Sequence, residues 1–397
     1  MGTKIFIVSE FVDKKQNSTG FYFSKIASAI LEDNPEVVII SSKRSCELAK
    51  NNFGTSVDYS TIESKDRKKG TVISRGLHDL SFSIKLAIKL FKSSSKGDIV
   101  ISGSNPTLLL FLISFIKLFK KFKLVLIVHD IFPENVGTTR FSLVYSSFLR
   151  VFIPFFNLAF KRSDAIVAIG RDMKEVLFDK IKNDKVKIKY IPNFVDLNEF
   201  KFKSLQNKNP NTDKIEFNFF GNLGLLQGIE NLLESISMVK NKNVRFNFIG
   251  DGSERPLVEK FINCHKDIDV NLADPVSMED NLDTLLLGDV AIISLGKGMK
   301  GLCVPSKTYF SLAVNKPLLI ISDRDSELDH LIKEHPRIGW FCEAGNPENL
   351  AHTIDKICVE GIDKEREDPF NVVKNFYDFA LVKEDYKKLI KDLKALK

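Results

Sequence analysis

The chain contains 397 residues, of which 44% are hydrophobic, and carries a net charge of +7. That length exceeds what one ordinary core requires and predicts two domains, and the apolar content excludes a disordered chain. The five cysteines include no CxxC pair, which favours reduced thiols over a disulfide framework or a zinc site. No apolar run reaches the roughly 18 residues of a membrane span, and no signal-peptide pattern is present, so we expect a cytoplasmic chain.

Short β-branched runs alternate with segments of helical spacing along the first half of the sequence. After the first run, KIFIVS, the polar turn DKKQNSTG leads into a helical pattern. Because strands separated by helices form parallel sheets covered on both faces, this order predicts a doubly wound α/β domain over residues 1–203. The predicted strands are residues 4–9, 36–41, 71–74, 98–103, 123–130, 164–170 and 186–193.

The same alternation starts again after residues 204–213, a polar segment with a proline that we interpret as a linker. The fold class is therefore α/β, with two doubly wound, Rossmann-like domains whose strand ends face each other across a cleft. The second domain takes residues 214–370. A lysine-rich helix at 371–397 either crosses back onto the first domain or ends the second. The predicted strands here are 214–222, 244–252, 268–274, 289–296, 316–322 and 337–341.

Phenylalanines and leucines lie beside lysines at helical spacing in residues 82–123 and again in 141–162. Helices of this composition bind anionic membrane surfaces with their lysines at the headgroups, and we predict such binding here. The alternative is that the apolar residues pack on a sheet and the lysines are ordinary exposed charge. We expect no nucleic-acid binding, since these segments lack the polar, aromatic-interleaved surface of a strand-binding groove.

Residues 295–317, LGKGMKGLCVPSKTYFSLAVNKP, are the best candidate for a ligand site. Glycines alternate with lysines before a helix that starts near Ser306. A lysine in a first helical turn is unfavourable beside the helix's positive end unless an anion compensates, and Lys307 occupies that turn. The alternative is a surface loop whose lysines are merely solvated. The residues assigned to the site are Lys297, Gly298, Lys300, Gly301, Ser306 and Lys307.

Two more glycine turns follow strands of the second half, at 221–224 and 250–252. Each directs backbone amides at the cleft, as a phosphate or ribose site requires, although neither is a GxGxxG or P-loop motif. Three glycine-rich loops therefore converge. A nucleotide diphosphate fits them better than a metal, because no Asp, Glu or His cluster has ligand spacing. The residues assigned here are Asn222, Gly224, Gly250, Asp251 and Gly252.

The loops of the first half offer two weaker candidates. Asn17 and Gly20 precede a helix, where they permit close approach of a ligand but equally form an ordinary turn and cap. His129 and Asp130 end the fifth predicted strand, four residues before Glu134. A histidine at the mouth of a parallel strand can donate to a substrate hydroxyl, and nearby carboxylates can fix its tautomer. A lone histidine at such a position more often has a structural role.

Five segments together carry a family resemblance over nearly the whole chain. They are VHDIFPEN, KYIPNFVDLNEF, FFGNLGLLQGIENLLESI, FNFIGDGSER, and PSKTYFSLAVNKPLLI with SELDHLI after it. The chain resembles GT-B-fold glycosyltransferases of family 4. Its segments are most similar to those of sugar transferases in bacterial O-antigen and capsule assembly, of the L-fucosamine transferase type.

The resemblance implies a retaining transfer from a nucleotide-sugar, with a UDP-sugar as the first choice, and no metal or other cofactor. The acceptor would be a saccharide on a lipid of the undecaprenyl diphosphate type, at the inner face of the bacterial plasma membrane. The second domain would bind the donor and the first the acceptor. His129 would lie beside the donor sugar, Glu134 would act as the acceptor's base or anchor, Asn17, Gly20 and Asp130 would contact the acceptor, and Val276 would hold the base.

The chain departs from the family pattern at several donor positions. Many members have an arginine and a lysine where this chain has Asn222 and Gln227, although the fucosamine-transferase type shares the GN and QG pairs. Lys307 is expected to supply the missing positive charge. Phe310 replaces a glutamate that would grip the ribose, and Glu327 is the expected substitute.

Two other functions remain open on the sequence alone. A nucleotide-sugar 2-epimerase on the same fold would need carboxylates in the cleft and no membrane-facing helices. A non-catalytic partner of another transferase would keep the fold without binding nucleotides.

Overall fold

A computed structural model of the protein describes residues 2–63, 72–137, 151–182, 185–199, 214–276, 281–362 and 368–395. It contains two sheets in which every strand pair is parallel. The first sheet has the order β3-β2-β1-β4-β5-β6-β7 and the second β10-β9-β8-β11-β12-β13. The strands are β1 Ile5–Val8, β2 Val37–Ser42, β3 Asp58–Ile62, β4 Ile99–Gly103, β5 Lys123–Val128, β6 Ala165–Ala168, β7 Lys187–Tyr190, β8 Ile215–Phe220, β9 Val244–Ile249, β10 Val270–Ala273, β11 Val290–Ser294, β12 Leu318–Ser322 and β13 Gly339–Glu343.

Helices connect successive strands and cover both faces of each sheet. A 3-10 turn at Leu225–Gln227 and a π-helical turn at Val373–Tyr377 interrupt the pattern. The α-helices are α1 Ser18–Leu31, α2 Lys43–Phe53, α3 Val72–Ser93, α4 Thr107–Lys120, α5 Glu134–Gly137, α6 Ile153–Lys161, α7 Arg171–Ile181, α8 Ile229–Met238, α9 Arg255–Cys264, α10 Asn281–Leu286, α11 Lys307–Ala313, α12 Glu327–Glu334, α13 Pro347–Glu360, α14 Pro369–Val372 and α15 Phe379–Ala395.

The predicted α/β class with two doubly wound parallel sheets is confirmed. The central strands read as continuous apolar runs because helices bury both of their faces, as in β5, where five of the six residues are fully buried. None of the helices in the described ranges is long and apolar enough to cross a membrane. The expected linker, 204–213, lies outside the described residues, so the domain boundary stays a prediction.

One predicted strand was wrong. Residues 71–74 were expected to be β, but α3 begins at Val72, and the third strand of the sheet is β3, Asp58–Ile62. β3 is an edge strand with four of its five residues at least partly exposed, so it lacks the apolar run that marks the central strands.

The C-terminal helix α15 crosses back onto the first sheet's domain, where it packs against α1. The crossing is fixed by backbone hydrogen bonds, from Val195 N to Tyr377 O (3.0 Å) and from Phe379 N to Val195 O (2.7 Å). On α15, Lys387 pairs with Glu32 at 2.7 Å. The apolar face of α15 is buried in the core of the first sheet, which ties the two ends of the chain together.

A single apolar cluster runs from the first sheet into the second. It contains Val128 and Ile131 from the first half together with Ile293, Leu302 and Tyr309 from the second. The two halves are therefore in close contact on this side, and the loops at their strand ends are held against each other.

Candidate functional site

The predicted glycine turns of the second half pack against each other at the carboxyl ends of β8, β9 and β11. A Cβ on Gly250 would lie 1.8 Å from Gly221 O, and one on Gly252 would lie 2.2 Å from Leu223 O. At Gly228, which has a φ of +61°, a Cβ would lie 3.0 Å from Gly296 Cα. Only glycine permits this backbone contact, so the three loops are brought together as predicted.

Hydrogen bonds and side-chain packing stabilise the glycine turn at 221–224. The Gln227 side-chain oxygen accepts from Gly224 N at 3.1 Å, and Gly296 N donates to Leu226 O at 2.8 Å. The amide of Asn222 lies over Gly224, where a Cβ would meet its Nδ2 at 2.6 Å. The side-chain oxygen of Gln227 is therefore used within the turn and does not replace the lysine that many family members have at this position.

An open cavity of about 250 Å³ lies beside these loops. Lys297 reaches this space, and like Lys300 it is exposed. The cavity is lined on the other side by the start of α8. The described lining includes Leu226, Gly228, Glu254, Gly296, Lys297 and Gly345, all from the second half.

A carboxylate holds in place the lysine-bearing loop, which comprises residues 296–306. Asp323 accepts hydrogen bonds from the backbone N of Gly298 at 3.0 Å and of Lys300 at 2.9 Å. The sequence analysis missed Asp323. Its position directly after β12, at the same sheet edge as the glycine loops, was the available signal.

Lys307 begins α11, as predicted, but its ammonium does not extend into the gap between the two halves. Nζ lies 3.5 Å from the centroid of the Phe219 ring, is buried, and has no hydrogen-bond partner in the structure. Burial lowers the pKa of Lys307 to about 7. Burial without a hydrogen-bond partner disfavours the charged form of this amine. The neighbouring Ser306 makes no side-chain capping bond, which leaves its hydroxyl unused by the helix.

His129 follows β5 and packs among aromatic rings of α1. Its ring stacks on Tyr22 at 5.7 Å between centroids, and Phe23 lies 6.3 Å away. The Ser104 hydroxyl accepts from the His129 backbone N at 3.2 Å. Burial lowers the pKa of His129 to about 4, so the ring is neutral at physiological pH and can donate one hydrogen bond and accept another. Tyr22, whose buried hydroxyl has no hydrogen-bond partner among the described residues, was missed by the sequence analysis.

Asp130 lies where the two halves touch. It forms an antiparallel bridge with Cys303, and Ile131 N donates to Leu302 O at 2.9 Å. Burial raises the pKa of Asp130 to about 6, although a 3.4 Å hydrogen bond from Asn105 acts in the opposite direction. The loop that carries His129 is thereby joined to the loop that leads to Lys307.

Three predicted residues of the first half have structural partners. Asn17 caps α1 by accepting from Gly20 N at 2.9 Å, and a Cβ on Gly20 would lie 2.2 Å from Asp13 O. Glu134 forms an ion pair with Lys180 on α7. Their contact with an acceptor stays a prediction, and the paired Glu134 does not fit the role of a free base in this arrangement.

Two expected donor contacts do not fit the structure. Phe310 packs edge-on against Phe21 of α1 at 5.3 Å, because an apolar ring is more stable in the interface between the halves than beside a ribose. Glu327 is 2% exposed and is occupied by Arg171 and by the Tyr190 hydroxyl, which donates at 2.8 Å. Neither side chain is available to a ribose here.

Two further donor assignments stay predictions. Val276 lies in the segment after β10 and is partly exposed. One carboxylate oxygen of Asp251 accepts from Gly252 N at 2.9 Å.

The sequence has relatives among known proteins. A family model described as Glycosyltransferase Family 4 matches residues 20–199. The probable glycosyltransferase WbjE of Pseudomonas aeruginosa is 34% identical over 371 residues, with 89% of each chain covered. The chain belongs to glycosyltransferase family 4.

The fold agrees with that of solved structures similar to this family 4 glycosyltransferase. Sucrose-phosphate synthase from Thermosynechococcus elongatus has a TM-score of 0.75 at 10% identity, covering 99% of this chain and 100% of the other. Anabaena Alr3699/HepE, solved with UDP-glucose, has a TM-score of 0.70 at 13% identity, covering 98% and 100%. At these identities the likeness concerns the fold, which is GT-B. A second curated relative, the putative colanic acid biosynthesis glycosyl transferase WcaI of Escherichia coli, is 27% identical over 34% of this chain and 33% of its own.

Proposed function

We propose that this glycosyltransferase moves a sugar, with retention of configuration, from a UDP-sugar to a lipid-linked saccharide in the assembly of a bacterial surface polysaccharide. The observation that carries the donor half of this proposal is the convergence of the glycine turns around an open cavity that Lys297 lines. The solved HepE complexes with UDP and UDP-glucose support the choice of nucleotide, and the name of WcaI supports the polysaccharide context.

The loop amides and Lys307 would stabilise the leaving diphosphate, which requires the Lys307 ammonium to leave its place over the Phe219 ring. As the bond from the anomeric carbon to the phosphate oxygen breaks, negative charge grows on the diphosphate and the sugar gains oxocarbenium character. Preorganised donors stabilise that charge most where it appears. The leaving phosphate oxygen would then accept the proton of the attacking acceptor hydroxyl on the same face of the sugar, so that no protein base is required.

His129 would orient the sugar as a neutral group. Its low pKa keeps the imidazole uncharged, so the ring would not repel the positive charge that develops at the anomeric carbon. A neutral ring can donate to a sugar hydroxyl from one nitrogen. Asp130, the next residue, would contact the acceptor from the first domain.

The acceptor's lipid requires a membrane, and the first domain has a surface that suits one. Helices α3 and α4 pack together, as do α4 and α6, and they expose an apolar patch. Lys85, Lys89 and Lys92 of α3 are exposed on the same helix as three patch residues. Such an arrangement fits an anionic bilayer, with rings in the interface and ammonium groups at the headgroups. The patch comprises Ile84, Ile88, Phe91, Phe115, Leu118, Phe119, Phe152, Phe155 and Leu158.

We expect the double variant Leu118→Ser and Phe119→Ser to lose most binding to vesicles of phosphatidylglycerol and phosphatidylethanolamine. Each large apolar side chain removed from the interface weakens binding by about 1.5 to 3 kcal/mol, so the partition coefficient should fall at least tenfold. Co-sedimentation measures it. The control is Leu381→Ser with Val359→Ser, since Leu381 is as exposed as Leu118 (50% and 48%) but lies outside the patch. Equal binding by both double variants would contradict the assignment.

The proposed donor is tested by titration calorimetry with UDP, GDP and TDP, followed by transfer assays with the UDP-sugars. We expect UDP to bind at least tenfold more tightly than the other two nucleotides. We also expect transfer activity to persist in EDTA, since Lys307 and backbone amides would stabilise the phosphate charge. Binding of none of the three nucleotides would contradict the proposal. Activity lost in EDTA and restored by Mg²⁺ would contradict its metal-independent form.

A further inference from the structure

Several polar contacts between the two halves converge on Asp172, at the start of α7. Its Oδ2 accepts from two backbone amides of the second half, Gly301 N at 2.8 Å and Glu327 N at 3.1 Å. Its Oδ1 accepts from Met173 N at 2.7 Å. The residue is 3% exposed, so these bonds are shielded from water. A carboxylate that accepts several backbone N–H groups forms strong, directional bonds.

A second contact lies beside the first and joins the same two elements. Arg171 donates through Nη2 to Glu327 Oε1 at 3.1 Å and through Nε to Glu327 Oε2 at 3.1 Å. Its backbone N also donates to Glu327 Oε2, at 2.7 Å, and Tyr190 completes the set. Arg171 reaches Glu334 as well, about two turns further along the same face of α12. These contacts hold the N-terminal end of α12 against the first domain.

Gly301 is the last glycine of the lysine-bearing loop, and its position depends on the first domain. It has a φ of +71°, and a Cβ there would lie 2.6 Å from Val176 Cγ2 on α7. The loop therefore has two anchors. Asp323, from its own half, holds Gly298 and Lys300, whereas Asp172, from the other half, holds Gly301. The residues that follow Gly301 also contact the first domain, since Leu302 O accepts from Ile131 N and Cys303 bridges to Asp130.

We infer that Asp172 is a positioning residue for the donor site: a carboxylate of the acceptor-side domain that sets the shape of the loop leading to Lys307 across the contact between the two halves. It acts through the Gly301 amide and touches no substrate itself. Donor binding and domain contact are thereby coupled, because the conformation of loop 296–306 that presents Lys307 is completed by a group from the other domain. The kinetic consequences rest on the proposed function, but the structural ones do not.

The test compares Asp172→Asn with Asp98→Asn. Asp98 is a matched control, since it is 6% exposed and accepts from two backbone amides, Lys4 N at 3.1 Å and Ser95 N at 2.7 Å, within the first domain alone. Hydrogen exchange with mass spectrometry on the full chain reports amide protection in residues 296–306 and 325–331. We expect Asp172→Asn to exchange at least tenfold faster in both segments, and Asp98→Asn to leave them unchanged.

Kinetics provide the second readout. Because charged hydrogen bonds contribute about 1.5 to 3 kcal/mol each, we expect Asp172→Asn to lower kcat/KM for the donor roughly 10- to 100-fold while KM for the acceptor stays within twofold. A merely structural role would lower the amount of active enzyme without changing either KM. Unchanged exchange in residues 296–306, or a donor KM equal to that of Asp98→Asn, would overturn the inference.

A second variant covers the case in which Asp172→Asn does not fold. Glu327→Gln keeps the shape of the side chain and removes the charge that pairs with Arg171, and it should raise exchange in 325–331 and in 296–306 together. Faster exchange confined to 325–331 would overturn the coupling. If the chain binds no nucleotide at all, the proposed function fails, while the exchange data still decide whether Asp172 holds the loop.

Discussion

Replacing Lys307 by methionine is expected to lower kcat/KM for sugar transfer roughly 10²- to 10³-fold without destabilising the fold. The loss follows from removing the positive charge that the proposed mechanism brings to the leaving diphosphate. The stability follows from the site itself, since the ammonium is buried over the Phe219 ring without a hydrogen bond, and an apolar chain of similar length suits these surroundings. Initial rates with a UDP-sugar and urea unfolding measure the two effects.

The control for Lys307 is Lys316, a second lysine whose pKa is lowered by burial. Its ammonium donates to Gly288 O at 2.5 Å, so it is satisfied within the protein. We expect Lys316→Met to lose stability, because it leaves that carbonyl unpaired, and to retain normal transfer rates. Near-normal activity of Lys307→Met, or equal loss in both variants, would remove Lys307 from the mechanism.

The low pKa of Lys307 adds a pH dependence with a definite sign. In the unfolded chain a lysine stays protonated up to about pH 10.4, whereas in the folded protein it releases its proton near pH 7. Between these values the unfolded state binds more protons, so this group makes the free energy of unfolding rise with pH from about 7 upward. UDP affinity should change in the opposite direction, since only the ammonium attracts the diphosphate. Both pH dependences should be absent from Lys307→Met.

Replacing His129 by alanine is expected to lower kcat about 10²- to 10³-fold with a smaller effect on UDP binding, because the ring would contact the sugar and not the nucleotide. Its pKa of about 4 implies that protonation does not limit activity above pH 5. The pH profile of the wild-type enzyme should therefore show no inflection from His129 near 6.5. His129→Gln, which keeps a hydrogen-bond donor, should recover part of the rate.

His352 provides the comparison for His129. It is exposed on α13, away from the rings that surround His129, so His352→Ala should leave kcat unchanged. NMR titration of the histidine ring carbons in wild-type protein would assign the low pKa directly. A His129 that titrates near 6.5, or an alanine variant with full activity, would contradict the neutral orienting role.

The apolar runs of the sequence determined the architecture. Each central strand is buried on both faces and therefore carries an uninterrupted apolar segment, which is readable without coordinates. The glycine turns after β8 and β9 could also be predicted from the sequence, because backbone contact between loops leaves no room for a Cβ and so requires glycine. The edge strand β3 was missed because half-exposed residues show no such pattern.

The partners of charged side chains were decided by tertiary structure alone. Nothing in the sequence links Glu327 to Arg171, which lies 156 positions away, or shows that Phe310 would meet Phe21. Those pairings depend on how the two sheets face each other. The same holds for Lys307: its place at the start of α11 follows from local pattern, but the direction of its ammonium depends on the packing of side chains around it. Sequence patterns record burial and backbone geometry because these act over a few residues, whereas contacts between distant segments exist only once the chain has folded.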